Sequence, residues 1–218
     1  MTPKQARNTT RLREAAAASR AETRKLLIAA AGEEFARVGY VAATVNRIAE
    51  IAGVTVQTLY LACGSKRALL RAYAEKSLQT PPAWSGQYHA AQLNPGNPPE
   101  TLAQIAKLFC DTARRMETAW RAYRDGAAVD TAIAEELREL EMMRHGTFTA
   151  MLESIPDDAM RLTRSDAIDT VWAVASPVVY EAMTSHAGYT LERFQEWLTT
   201  TLRHAILHDP DPDPAPTS

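Results

Sequence analysis

The chain has no run approaching the ~18 consecutive apolar residues that a membrane span requires, so no spanning helix and no membrane partner are expected. Its amino-terminal stretch, MTPKQARNTTRLREAAAASR, is basic and lacks an apolar centre, which argues against a secretory signal. Only two cysteines occur, Cys63 and Cys110, too few for a disulfide framework or a four-cysteine zinc site. Glycine is scarce, at nine in 218 residues, while alanine, leucine, arginine and glutamate are plentiful. That balance favours helix, and no alternation of strand type stands out.

The net charge of -2 conceals a division. Residues 1–80 carry 13 basic and 6 acidic side chains; residues 81–218 carry 11 and 20. A basic segment of +7 beside an acidic one of -9 suggests that the first part meets a polyanion. Proline marks the boundaries. Five of the twelve lie in residues 80–99 and four in the tail DPDPDPAPTS. The expected order is a flexible basic arm (1–18), a first helical domain (19–79), an irregular connector (80–99), a second helical domain (100–208) and a disordered tail (209–218). Lys4, Arg7, Arg11 and Arg13 of the arm are candidates for a neighbouring minor groove.

In the first domain Ser19 and Glu22 have capping-box spacing. Leu27, Ala31, Phe35 and Val38 then share one helical face, and Gly39 is placed to end that helix. Thr44 is placed to cap a short second helix, with a glycine turn at Gly53-Val54. Thr55 is placed to cap a third, and Ser65 a fourth. Two short helices around a glycine turn, with small Ala49 at their crossing, have the spacing of a helix-turn-helix. The second helix of such a pair directs its amino-terminal residues at base edges in the major groove. Gln57 can pair with adenine and Thr58 with a base or phosphate, while Val56 and Leu61 can lie against thymine methyl groups. Asn46 and Arg47 sit where they can reach the groove or the backbone. Lys66 occupies a first helical turn, where the helix dipole disfavours a cation, and an external phosphate would account for it.

These residues resemble the amino-terminal domain of the TetR (tetracycline-repressor-like) transcriptional regulators. The resemblance runs over residues 24–76. It rests on Phe35, Gly39-Tyr40, Thr44, Ile48-Ala49, Gly53-Val54, Thr58-Leu59-Tyr60, Ser65-Lys66 and Leu69-Leu70. It implies an all-α fold in which a helix-turn-helix domain precedes a helical ligand-binding and dimerisation domain. It also implies phosphate contacts from Thr44, Tyr60 and Lys66. The family commonly has a residue, then His or Tyr, then Phe after the tyrosine; here Leu61, Ala62 and Cys63 follow Tyr60. That departure leaves open a competing reading, a helical interaction protein whose helix-turn-helix no longer binds DNA.

In the second domain, helices are expected near 100–117, 119–127, 130–154, 165–186 and 190–208. Ile168, Val171, Ala175, Val178 and Ala182 form one apolar row, and Leu191, Phe194, Trp197, Leu198 and Leu202 another. Helices apolar on two sides can pack on their own core and on a second copy, so these rows are the expected homodimer interface. Two recognition helices about 34–36 Å apart then match a pseudo-palindromic operator in double-stranded DNA. Phe109, Met116, Trp120, Tyr123, Met142, Met143, Phe148, Trp172 and Tyr180 are candidates to line a site for a small apolar or amphipathic effector. Pro177 should kink its helix. The five histidines are scattered, and no nucleophile elbow, metalloprotease motif or phosphate loop appears. No catalysis, metal or cofactor is expected. The expectation is a cytoplasmic, effector-responsive DNA-binding regulator, more readily a repressor than an activator.

Overall fold

The structure, a computed structural model, describes residues 3–78, 93 and 96–208, with side chains from Ala17 onward. The tail, most of the connector and His89 lie outside the described residues, as do the side chains of Lys4, Arg7, Arg11 and Arg13. Among the described residues the regular elements are helical, apart from one antiparallel bridge between Met160 and Leu207.

The first helix, α1 (Pro3–Ala42), starts well before the expected position. The irregular arm and the start at Ser19 are therefore corrected. From Lys4 to Ala31 there is neither glycine nor proline, and four alanines at 15–18 favour continuation. Pro3 suits a first helical position, and Ser19 lies in mid-helix, where its carbonyl accepts a bond from the Thr23 hydroxyl at 3.0 Å. Gly39 does break the helix, with φ 75° and ψ 172°. Three short helices follow: α2 (Val45–Ile51), α3 (Val56–Cys63) and α4 (Lys66–Ser77). Thr44, Thr55 and Ser65 cap them, each accepting a backbone N–H from the residue three further on. Leu27, Ala31 and Phe35 are buried with Ile48, Ala49, Leu59, Leu69 and Leu70, so the helical period read from the sequence does face a core.

The expected helices at 100–117 and 119–127 are one, α5 (Pro98–Ala127), because nothing near Thr118 interrupts the backbone ladder. It is followed by α6 (Thr131–Leu152). The expected 165–186 helix is broken. It forms α7 (Arg164–Val174), a short α8 (Pro177–Glu181) and a π-helical turn at Ala182–His186, before α9 (Leu191–Ile206). Proline explains the break: it has no N–H and clashes with the preceding turn. Ser176 re-caps the chain, accepting from Val179 N at 3.3 Å.

The chain divides into two compact units, Met1–Ser77 with Thr118–Leu137, and Leu78–Glu117 with Arg138–Ser218. The end of α5 and the start of α6 thus belong with the first four helices, a division that the proline pattern does not mark. In the first unit Tyr123 donates to Glu136 at 3.3 Å, and Arg67 on α4 lies 3.5 Å from the same carboxylate. In the second, Phe194 packs against Phe109, Tyr180 and Trp197 with centroid separations of 6.4, 5.4 and 5.6 Å.

Candidate nucleic-acid interface

On α3 the residues that face outward are Gln57, Tyr60 and Leu61, spaced i, i+3 and i+4. Leu61 is 83% exposed and Tyr60 50% exposed, on a helix whose other side is anchored by fully buried Leu59. An amide, a phenol and an isobutyl group side by side, held by capped turns at both ends, form a mixed surface suited to base edges and phosphates. Val56 is half-buried at the start of the helix. The Thr55 and Thr58 hydroxyls are 2.9 Å apart and bonded to each other, and Thr55 also caps the helix. Both are therefore already engaged, and Gln57 remains the freely offered polar group of this turn.

On α2, Asn46 is exposed. Arg47 lies 2.8 Å from Glu50, and that hydrogen bond and charge raise its already high pKa. Thr44 holds the helix start and can present its remaining hydroxyl proton outward.

The structure corrects the reading of Lys66. Its ammonium donates to the carbonyl oxygens of Tyr40 and Ala43, both at 2.8 Å, with Val41 O at 3.5 Å. These carbonyls follow the break at Gly39 and lack helical partners, so the cation closes the end of α1. Its Nζ also lies 4.3 Å from the centre of the Tyr40 ring. Burial lowers the pKa of this lysine. Its charge has partners inside the fold, and no external phosphate is needed to explain it. Lys66→Met should leave two carbonyls unpaired and destabilise the chain by about 2 kcal/mol. Thermal unfolding checks this, and an unchanged midpoint would refute the assignment.

Cys63 is buried behind α3, where the family commonly carries an aromatic ring. Burial raises its thiol pKa, partly opposed by the charge of nearby Arg24 on α1. Arg24 is a neighbour of the recognition helix that helical periodicity alone did not single out. The proximity of residues 24 and 63 has no signature in sequence spacing.

The effector candidates do not converge. Met142 is 65% exposed and Met143 is exposed too, because both sit on an outward face of α6, and neither lines an enclosed site. Trp120 and Tyr123 are buried in the first unit, whereas Phe109, Met116, Phe148 and Tyr180 are buried in the second, with Trp172 half-buried there. Phe109 and Phe148 pack ring to ring at 6.5 Å, so they fill core rather than enclose space. A cleft of about 530 Å³ does open in the second unit. It is walled by Pro98, Pro99, Thr200, Arg203, His204 and His208 among others, and none of the effector candidates borders it.

The expected interface rows are likewise divided. Ile168, Val171, Ala175, Phe194, Leu198 and Leu202 are buried within this chain's own core. Leu191 and Trp197 are half-buried against it. Only Val178 and Ala182 face outward, because the break before Pro177 turns the second half of the row away from the first. The packed core claims most of the large side chains of the two rows, with Leu191 and Trp197 partly open and Val178 and Ala182 exposed. Among the described residues there is no cluster of three or more potential metal ligands, and no helix is long and apolar enough to cross a membrane.

Residues 27–73, the whole helix-turn-helix with the adjoining parts of α1 and α4, match the model described as "Bacterial regulatory proteins, tetR family". Its amino-terminal domain is of the TetR type. A comparison with curated protein sequences gives no match. Solved structures resemble the chain along most of its length. NalD of Pseudomonas aeruginosa, named as the secondary repressor of the MexAB-OprM multidrug efflux pump, is 15% identical. It covers 87% of this chain and 99% of its own, with a TM-score of 0.64. SmeT, solved in complex with triclosan, is 17% identical over 90% and 99%, with a TM-score of 0.66. A TetR-like transcriptional regulator from Rhodococcus sp. RHA1 is 16% identical over 84% and 94%, with a TM-score of 0.56. At these identities the likeness is one of fold. The chain has the fold of a TetR-family transcriptional regulator, with an amino-terminal DNA-binding domain.

Proposed function

We propose that this protein is a homodimeric TetR-family repressor, acting in the cytoplasm and without catalysis. In this reading it binds a pseudo-palindromic operator through one α3 per protomer. A small apolar or amphipathic effector, taken up by the second unit, releases it. The observation that carries the reading is the exposed stripe of Gln57, Tyr60 and Leu61 on a helix fixed by its Thr55 cap and a buried leucine. Leu61, 83% exposed beside Gln57 and Tyr60, is free to lie against a thymine methyl group. NalD's name as a repressor and SmeT's complex with triclosan support the sign of regulation and the class of effector.

Selection from a random-site duplex library tests the core of the reading. The parent should recover an inverted repeat. Gln57→Ala should relax preference at one position per half-site, at about 1–3 kcal/mol for the lost base contact, with the fold unchanged. Recovery of the same sequences with the same stringency would remove Gln57 from readout. Recovery of no enriched sequence by the parent would refute DNA recognition itself.

A further inference from the structure

The amino-terminal part of α1 extends far beyond the four-helix core that the family model matches. It is strongly basic. Residues 1–25 contain seven lysines and arginines against Glu14 and Glu22, a net charge of +5. Glu22 is engaged with Lys25 at 3.5 Å, while Arg20 and Arg24 are exposed. The core end of α1 packs against α3, so the extension leaves the core beside the helix that carries Gln57, Tyr60 and Leu61. Arg13, Arg20 and Arg24 are spaced by seven and four residues, which places all three positions on one stripe of the helix. From Arg24 back to Pro3 an unbroken helix rises about 30 Å, close to one turn of B-DNA.

A helix also limits what this segment can touch. With side chains it is about 10–12 Å wide, whereas the minor groove of B-DNA is about 6 Å wide. A flexible arm could enter that groove, but a helix cannot. What a basic helix beside an occupied major groove can meet is the row of phosphates on the groove's edge.

We propose that the extension of α1 is a second, sequence-independent DNA contact, a basic strut that lies along the phosphate backbone next to the groove occupied by α3. This rests on the DNA-binding reading of α3 and adds to it affinity and footprint, not specificity. Each arginine on a phosphate releases bound counterions, so its signature is a steeper fall of affinity with salt.

The test compares the full chain with two variants on its selected duplex, across a salt series. The first is the triple substitution Arg13→Ala, Arg20→Ala and Arg24→Ala; the second is Ala16→Pro, which keeps every charge but breaks the helix. The triple variant should bind about tenfold or more weakly, with a shallower salt slope by about one for each lost contact, and should select the same sequence as the parent. Ala16→Pro should show a similar loss, and both should melt near the parent's midpoint because the changes precede the packed core. On a duplex trimmed to the bare inverted repeat, the difference between parent and variants should shrink. If the triple variant keeps the parent's affinity and slope, the contact does not exist. If only the triple variant is weakened and Ala16→Pro is not, a flexible arm makes the contact and the strut is overturned. If the parent itself binds no duplex, the DNA-binding reading falls and this proposal falls with it.

Discussion

Arg144→Met is expected to lower the stability of the protein by about 3 kcal/mol, the largest loss anticipated from a single side chain here. The guanidinium is only 12% exposed and is surrounded by acceptors. One nitrogen donates to the carbonyls of Trp172 and Ala175, at 2.7 and 2.8 Å. Glu141 takes the other side, at 2.6 and 3.2 Å. The two carbonyls exist as acceptors because α7 ends before Pro177, so no N–H from a following turn reaches them. Phe148 and Trp172 flank the guanidinium, with centroids 5.7 and 5.2 Å from its central carbon. Burial lowers the pKa of this arginine, and Glu141 opposes that shift. Methionine fills comparable volume but supplies no donor, leaving a largely buried carboxylate and two carbonyls without partners. In a chain of this length the thermal midpoint should fall by roughly 6–12 °C. A loss below about 1 kcal/mol would show that water replaces the guanidinium and that the break does not depend on it. Arg144→Lys should recover only part of the loss, since one ammonium cannot span both acceptor groups as the planar fork does.

Gly39→Ala should be the next most damaging change, at about 2–3 kcal/mol. At φ 75° and ψ 172° the backbone lies in a region that is essentially reserved for glycine, and any other residue costs of order 1–3 kcal/mol there. A contact adds to this. A Cβ on Gly39 would lie 2.7 Å from Asp125 Oδ2, closer than side-chain carbons approach oxygen. The two contributions separate experimentally. Asp125→Ala in the Gly39→Ala background should restore the part due to contact and leave the backbone part. Complete recovery would show that the conformation itself carries no strain. Denaturant unfolding of the two single variants and the double variant supplies the comparison.

Lys66, Arg144 and Arg164 do related work. Each directs donors at carbonyls that a helix end or break leaves open: after Gly39, before Pro177, and at the end of α6, where Arg164 reaches Leu152 and Ile155. Cations are favoured at such ends by the helix dipole as well as by hydrogen bonding. In the linear sequence Lys66 occupies the start of its own helix, an unfavourable place for a positive charge. Its actual partner is the end of another helix, 23 to 26 residues earlier. Only folding brings the two together.

The recognition element was legible because its determinants are short-range. Thr44, Thr55 and Ser65 cap helices through contacts three residues away, and Gly39 breaks a helix through its own backbone. The outward position of Gln57, Tyr60 and Leu61 follows from the period of one helix pinned by Leu59. The second domain was not legible to the same depth. Ile168, Phe194 and Leu198 on a two-faced helix are equally compatible with a core and with a partner. Which face turns inward was decided by the break before Pro177 and by the aromatic cluster around Phe194. The sequence by itself therefore determined the short helices α2, α3 and α4, their caps and the exposed tip of α3, because each depends on neighbours within a few residues. Tertiary structure decided that Lys66 and Arg144 close helix ends, that Met142 faces water, and that residues 118–137 pack with the amino-terminal helices. Those outcomes depend on groups distant in the chain, whose meeting no local period encodes.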